Sequence, residues 1–380
     1  MLGFRYPLTE KEKRQTKLNK IQIVKDKTKQ KVDLTGFIFV FEYIKNGGVD
    51  ELMKDYLDKK QTPINPTIRS KIIYGVASIM KFIHERSAIY RNLSFSHILV
   101  DEKFEPKITG FELCKILYYN FGMTMAIGVP CYMAPEIFMD GDEEYDISVD
   151  VYAYGMFLYR MFSNKIEFAD KKPIRSSRQL MLKIGHGTRP KRPENIPDHY
   201  WELIQRCWKQ NPSERPTFDE IVELLKNDKY ALEEFGVKTN LKELHEYQER
   251  IDKGDLIQPS STSSDQQEDI NQIRGQFEEL KSIFHESFDH PNQDNCFIDD
   301  DDEKHHQVLS KIGEGATSVT YKIFDERTGQ IMCKKILKLV NNVNIAIKIA
   351  QDALKEFEVL SKLNHPSICR AIGINTSETV

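Results

Sequence analysis

Residues 148–162, SVDVYAYGMFLYRMF, are apolar nearly all the way round a helical wheel. A helix of that kind has no face to offer water, so other elements must enclose it on every side. With 380 residues the chain has material for such a shell and for two or three domains. Its 40% hydrophobic and 29% charged content are those of an ordinary globular protein.

The formal net charge of -4 argues neither for nor against a nucleic-acid partner, but the charge is unevenly spread. Residues 251–306 hold 15 Asp/Glu against 4 Lys/Arg, a net of -11, which leaves about +7 for the rest. Cys114, Cys131, Cys207, Cys296, Cys333 and Cys369 lie far apart, with neither a CxxC pair nor zinc-like Cys/His spacing. They read as buried or idle thiols in a reducing compartment. Residues 1–30 are charged and lack an apolar core of signal-peptide length, and no window approaches 18 apolar residues. The expected location is the cytoplasm, with protein partners, no nucleic acid and no membrane.

Strand-like and helix-like pieces alternate over 1–235. FIFVFEYI (37–44) leads into Asn46-Gly-Gly48, a point for a sharp turn. Ile68, Ile72, Val76, Ile79 and Ile83 recur at helical steps behind Pro66, predicting one amphipathic helix over 66–86. ILV (98–100) and KIT (107–109) flank DEKF and predict a short hairpin. Thr217 and Glu220 predict a capping box. From 236 to 307 the composition turns acidic; PSSTSSDQQED (259–269) is too polar to offset chain entropy. A short helix around 270–284 is possible. Asp299–Glu303 reads as a solvated charge run, since a calcium loop needs a glycine turn. From 308 the pattern is strand, turn, strand, then a helix at 345–363 and a strand at 367–374.

The motifs within this order resemble the carboxy-terminal lobe of protein kinases, in the tyrosine-kinase-like style. Tyr90-Arg91-Asn92-Leu93 stands where kinases carry HRDL, and Ser96-His97-Ile98-Leu99 where they carry xNIL. Gly110-Phe111-Glu112 occupies the DFG position, and Ala134-Pro135-Glu136 is an intact APE. Asp150–Gly155 resembles DVYSFG, and CWKQNPSERPTF (207–218) resembles CWxxxPxxRPTF, with Arg215. Residues 308–380 resemble the opening of a second such domain. Gly313, Gly315 and Ser318 match the phosphate-covering loop, and IMCKKIL aligns Lys334 with its phosphate-gripping lysine. Glu356 matches the glutamate of the helix that follows. The implied fold is α+β and protein-kinase-like. It has a mainly helical lobe with late strands and hinge at 1–235, an acidic linker at 236–307 and a β-rich fragment at 308–380.

What the resemblance implies for chemistry is mostly loss. Kinases work by positioning and charge stabilisation. The proton-accepting aspartate is replaced by Asn92, and the two magnesium ligands by His97 and Gly110. The loop lysine is Ser94. Removing one such group typically costs roughly a hundred- to thousand-fold in rate, so the loop is expected to be inactive. Glu112 is a remote substitute for the metal ligand. Glu136 and Arg215 would form the family's buried ion pair, and Asp150 would accept backbone hydrogen bonds from the loop. Trp208 would fill the helical core. Arg91 would either hydrogen-bond local backbone or meet a phosphate on Thr124. ATP binding through Gly313, Gly315, Ser318, Lys334 and Glu356 is expected to be weak, and no metal site is expected.

MLGFRYPL at the start and AIGINTSETV at the end resemble the same strand, and matching Gly3 to Gly373 gives a period of 370 residues. Two arrangements fit: one unit cut from a tandem array, or a circularly permuted domain in which 308–380 docks on 1–235. The leading functional expectation is a pseudokinase acting as scaffold or allosteric partner. The alternative is an ATP-dependent serine/threonine kinase whose second domain continues beyond Val380. A third is a fragment with no stable fold.

Overall fold

The computed structural model describes residues 22–26, 29–33, 38–58, 63–116, 130–139, 145–163, 166, 168, 176–253, 305–315, 317–338, 345, 349, 352–353, 356–357, 359–360, 363, 365 and 367–375. They form two compact units. One is drawn from Met1–Tyr43, Gln258–Lys362 and Arg370–Val380, the other from Ile44–Ile257 and Leu363–Cys369. The fold is α+β. The expectations on Thr124, on a helix at 270–284 and on the 299–303 acidic run lie outside the described residues.

The chain enters with an antiparallel hairpin, β1 (Gln22–Asp26) and β2 (Lys29–Asp33), followed by β3 (Ile38–Glu42). The second unit then begins with helices α1 (Val49–Leu57) and α2 (Pro66–Glu85). Asn65 caps α2 by accepting from the Ile68 N–H, and Pro66 fills the first helical position, where its missing N–H costs nothing. Strands β4 (Ala88–Ile89), β5 (Ile98–Val100), β6 (Pro106–Ile108) and β7 (Lys115–Ile116) pair as two small antiparallel ladders, β4 with β7 and β5 with β6. The β5–β6 turn is held by Asp101, which accepts from the Lys103 and Glu105 amides at 2.9 Å each.

Helices α3 (Glu136–Met139), α4 (Ser148–Phe162), α5 (Ser177–Gly185), α6 (Asp198–Cys207) and α7 (Phe218–Leu225) complete the helical body. Thirteen of the fifteen residues of α4 are buried, as its all-round apolar sequence requires. Gly155 lets α6 approach closely, because a Cβ there would stand 2.8 Å from that of Cys207. Trp208 is 5% exposed and packs edge-on against Trp201. At the start of α7 the capping box forms in both directions: Thr217 N–H to Glu220 at 2.8 Å and Glu220 N–H to Thr217 at 3.2 Å.

Folded chain continues past residue 235, which the sequence reading had given to a linker. Strands β8 (Glu233–Glu234) and β9 (Val237–Lys238) make a two-residue hairpin, and α8 (Leu241–Asp252) follows. Leu244, Tyr247 and Ile251 share one buried face of α8. This tail covers the side of α2 that was predicted to face water. Thr67 accepts from the Asn240 N–H at 2.9 Å, and Ser70 accepts from the Leu232 N–H at 3.1 Å. Lys71 meets Glu243 at 2.6 Å, Tyr74 donates to Asp252 at 2.7 Å, and Arg69 pairs with Glu234. Every residue from Pro66 to Met80 is consequently buried. The polar positions of α2 are spent on the tail rather than on solvent.

Segment 363–369 also belongs to this unit. The Ile108 N–H donates to Ser367 O at 2.8 Å and the Cys369 N–H to Ile108 O at 2.9 Å, while the His365 ring lies 4.7 Å from that of Phe82. Burial pushes the His365 imidazole down to about 4, helped by the nearby Arg86 and Lys107 charges. With the folded value below the unfolded one, the unfolded chain binds more protons between about pH 6.5 and 4. Stability contributed by neutral His365 is therefore complete above that window and falls as pH drops through it. We expect the urea midpoint to decline across the window, and His365→Asn, which keeps an acceptor for the Ser367 N–H, to flatten that decline. Parallel profiles for the two proteins would rule His365 out as the cause.

In the first unit β10 (His306–Glu314), β11 (Ser318–Asp325), β12 (Gln330–Leu337) and β13 (Ala371–Asn375) join β3 in one antiparallel sheet ordered β10-β11-β12-β3-β13. Met332 opposes Glu42, Lys334 opposes Val40 and Lys335 opposes Phe39. On the other edge of β3, Ala371 opposes Phe41 and Ile374 opposes Phe39. The described residues at 345, 349, 352–353, 356–357 and 359–360 are helical, and Phe357 sets its ring 6.3 Å from that of Phe39.

Candidate functional site

The loop between β4 and β5 carries most of the predicted site residues. It is fixed from below by Asp150, whose side chain is fully buried. One Asp150 oxygen accepts from the Arg91 N–H at 2.7 Å; the other accepts from the Tyr90 N–H at 2.8 Å and lies 2.9 Å from His84 Nε2. These bonds hold Arg91 at a φ of 63°, a left-handed conformation that a branched-free side chain tolerates only when its surroundings impose it. The Arg91 guanidinium donates to Leu113 O at 2.6 Å and to the Tyr145 hydroxyl at 2.8 Å. Local backbone is thus one of its partners.

Asn92 is 9% exposed and donates its amide to Gly110 O at 2.9 Å and to Glu112 Oε1 at 3.0 Å. A carboxamide in that role is a donor, not a base. His97 Nδ1 lies 2.8 Å from Asn92 O and 3.2 Å from the Ser94 hydroxyl. Gly110 has a φ of +78°, and a Cβ built on it would stand 2.6 Å from His97 Cδ2 and 3.0 Å from the Asn92 amide nitrogen. Asn92, His97 and Gly110 therefore converge, and the imidazole fills the space a side chain at 110 would need. Magnesium takes hard oxygen ligands in near-ideal octahedral geometry. Glycine and an engaged imidazole do not fit it.

Below this loop, Arg215 grips Glu136 with both guanidinium nitrogens, at 2.5 and 2.9 Å. It also donates to Lys209 O at 3.0 Å and Ser148 O at 3.1 Å, and its side chain is fully buried.

The phosphate-loop residues lie in the first unit. Gly315 N–H donates to Ser318 O at 2.9 Å, closing the turn between β10 and β11. Lys338, passed over in the sequence, donates to Glu314 at 2.5 Å and to Gly315 O at 2.7 Å. Together Lys311 and Lys338 hold the Glu314 carboxyl down, to about 2.

The register of β12 places two adjacent lysines on opposite faces of the strand. Lys335 donates to Glu356, at 2.8 Å. Residues opposite one another in a ladder share a face. Lys335 thus lies with Phe39, whose ring meets Phe357 of the helix. Lys334 lies with Val40, which clusters with Ile323 and Met332 on the opposite face.

Comparison with known proteins identifies the family. The family model for protein tyrosine and serine/threonine kinases matches residues 10–225, and that for the protein kinase domain matches 306–380. The chain belongs to the protein kinase family. It is 32% identical over 187 residues to a probable LIM domain-containing serine/threonine-protein kinase of Dictyostelium discoideum, 49% of this chain and 18% of that protein. It is 29% identical over 194 residues to the dual serine/threonine and tyrosine protein kinase of Xenopus laevis, 49% of this chain and 20% of that protein. The matched region is thus a minor part of either relative. Among the described residues no helix is long and apolar enough to cross a membrane.

Proposed function

We propose that this is a kinase-family signalling protein whose catalytic loop does not transfer phosphate and whose fold serves as a cytoplasmic scaffold or allosteric partner for other proteins. The observation that carries the reading is the His97 imidazole seated against Gly110, in the space a metal-binding carboxylate at 110 would occupy. Asn92 supports it, since its amide is committed as a donor to Gly110 O and Glu112. Arg215, Glu136 and Asp150, whose work is structural, keep full sets of partners. A loop that holds its shape while lacking base and metal ligands suits binding better than turnover.

A second reading, an ATP-dependent serine/threonine kinase, draws on the Lys335–Glu356 pair and on the names of the relatives. The Gly313–Ser318 turn with Lys335 gives ATP a weak, metal-independent foothold. Two measurements separate the readings. Purified full chain with labelled ATP and magnesium or manganese is expected to label neither itself nor a general substrate. In a thermal-shift assay ATP is expected to raise the melting temperature slightly and equally with and without magnesium. Phosphate transfer that disappears in Asn92→Ala or His97→Ala would establish the second reading instead.

A further inference from the structure

In each of the two units, the same carboxy-terminal segment lies on the amino-terminal part of the chain. In the first unit both edges of β3 are taken by strands from beyond residue 330, β12 on one side and β13 on the other. In the second, Ser367 and Cys369 bracket Ile108 of β6, and His365 lies on Phe82. The two sets of contacts share no residue and serve different elements.

We propose that residues 305–375 close within their own molecule, β12 and β13 covering β3 in the first unit and 365–369 covering β6 in the second, rather than by exchange with another copy. Ile38, Phe39 and Val40 are at most 1% exposed, and without β12 and β13 they would sit on a strand with two bare edges. Such an edge templates aggregation, so the covering strands are a requirement of solubility as well as of fold. The residues between Lys253 and His305 number 51. Even as a random coil that length bridges roughly 40 Å. Tethering at that length gives an effective concentration in the millimolar range, far above the micromolar concentrations at which a second copy would compete. Closure within one molecule wins on those magnitudes. The proposal does not depend on whether the catalytic loop is active.

The test uses the full chain with a site-specific protease sequence placed within 259–264. Before cleavage the protein is expected to elute as a single chain. After complete cleavage the two pieces are expected to co-elute at the same volume in non-denaturing buffer. Pieces that separate, or an uncleaved protein that runs as a dimer or larger, would overturn the proposal. An independent variant guards against a disturbed linker. Phe41 opposes Cys333 across the β3–β12 ladder, so Phe41→Cys under mild oxidation is expected to give an intramolecular disulfide. It would be seen as a faster-migrating single-chain band on a non-reducing gel, lost when Cys333→Ser is added. No bond, or a bond between two chains, counts against it.

Discussion

Arg215→Ala is expected to destabilise the helical unit by about 3–5 kcal/mol, the usual cost of stranding one member of a buried ion pair. The side chain is fully buried and makes four hydrogen bonds, two to Glu136 and one each to Lys209 O and Ser148 O. Alanine supplies none of these donors. It leaves the Glu136 carboxylate, only 11% exposed, beside two orphaned carbonyls with no cation to balance it. Against a total stability of roughly 5–15 kcal/mol for a domain, the loss is large. For a unit of about 200 residues it corresponds to roughly 6–20 °C in melting temperature. Thermal unfolding followed by circular dichroism reads the effect directly. Replacing both partners with apolar residues of similar volume, Glu136→Leu with Arg215→Met, removes the stranded charge and is expected to recover much of the loss. A double variant as unstable as Arg215→Ala would show that the backbone contacts of Arg215, rather than its charge pairing, carry the stability.

The parts of this structure that depend on local pattern were legible in the sequence. The enclosed helix α4, the capping box at Thr217 and the β5–β6 hairpin each follow from residue order within one element. So did the meeting of Arg215 with Glu136 and of Asp150 with the Arg91 and Tyr90 amides, because a family resemblance carries those long-range pairs with it. Helix α8 was readable but missed: Leu244, Tyr247 and Ile251 recur at helical steps inside a segment whose charge drew it into the linker. The bond from Lys335 to Glu356 was not readable, because residue types alone do not say which face of the strand each of two adjacent lysines occupies. A one-residue slip reverses every face, and only the ladder with β3 decides it. The covering of β3 by β12 and β13 is a pairing of segments some 290 to 340 positions apart, and periodicity holds no information on that. Nor did the residue types at 92, 97 and 110 reveal that they touch. Seen singly they look like three independent losses, but in space they are one packed cluster, which changes what a reversion should do.

Restoring the metal-binding carboxylate by Gly110→Asp is expected to weaken the fold and to yield no activity. The new Cβ would stand 2.6 Å from His97 Cδ2 and 3.0 Å from the Asn92 amide nitrogen, distances at which something must move. His97 is not free to swing away, since its Nδ1 is tied to Asn92 O and lies beside Ser94. Overpacking of this kind costs about 1–3 kcal/mol, and a φ of +78° adds about 1 kcal/mol or more for a residue with a side chain. We expect a total near 2–4 kcal/mol in a urea melt. Adding His97→Asn shortens the side chain that blocks the site and is expected to return more than half of that loss. The same change made alone, in the parent chain, should destabilise, because it empties the space the imidazole fills. That opposite sign in the two backgrounds is the signature of direct packing between positions 97 and 110; equal effects in both would mean the two residues do not compete for one space. Even the triple variant with Asn92→Asp faces a further obstacle. Its carboxylate would replace an amide that now donates to Glu112 at 3.0 Å, setting two acids against each other and raising the pKa of one of them. Placing a base at position 92 therefore also requires removing Glu112, so on the proposed reading activity calls for at least four coordinated changes rather than one.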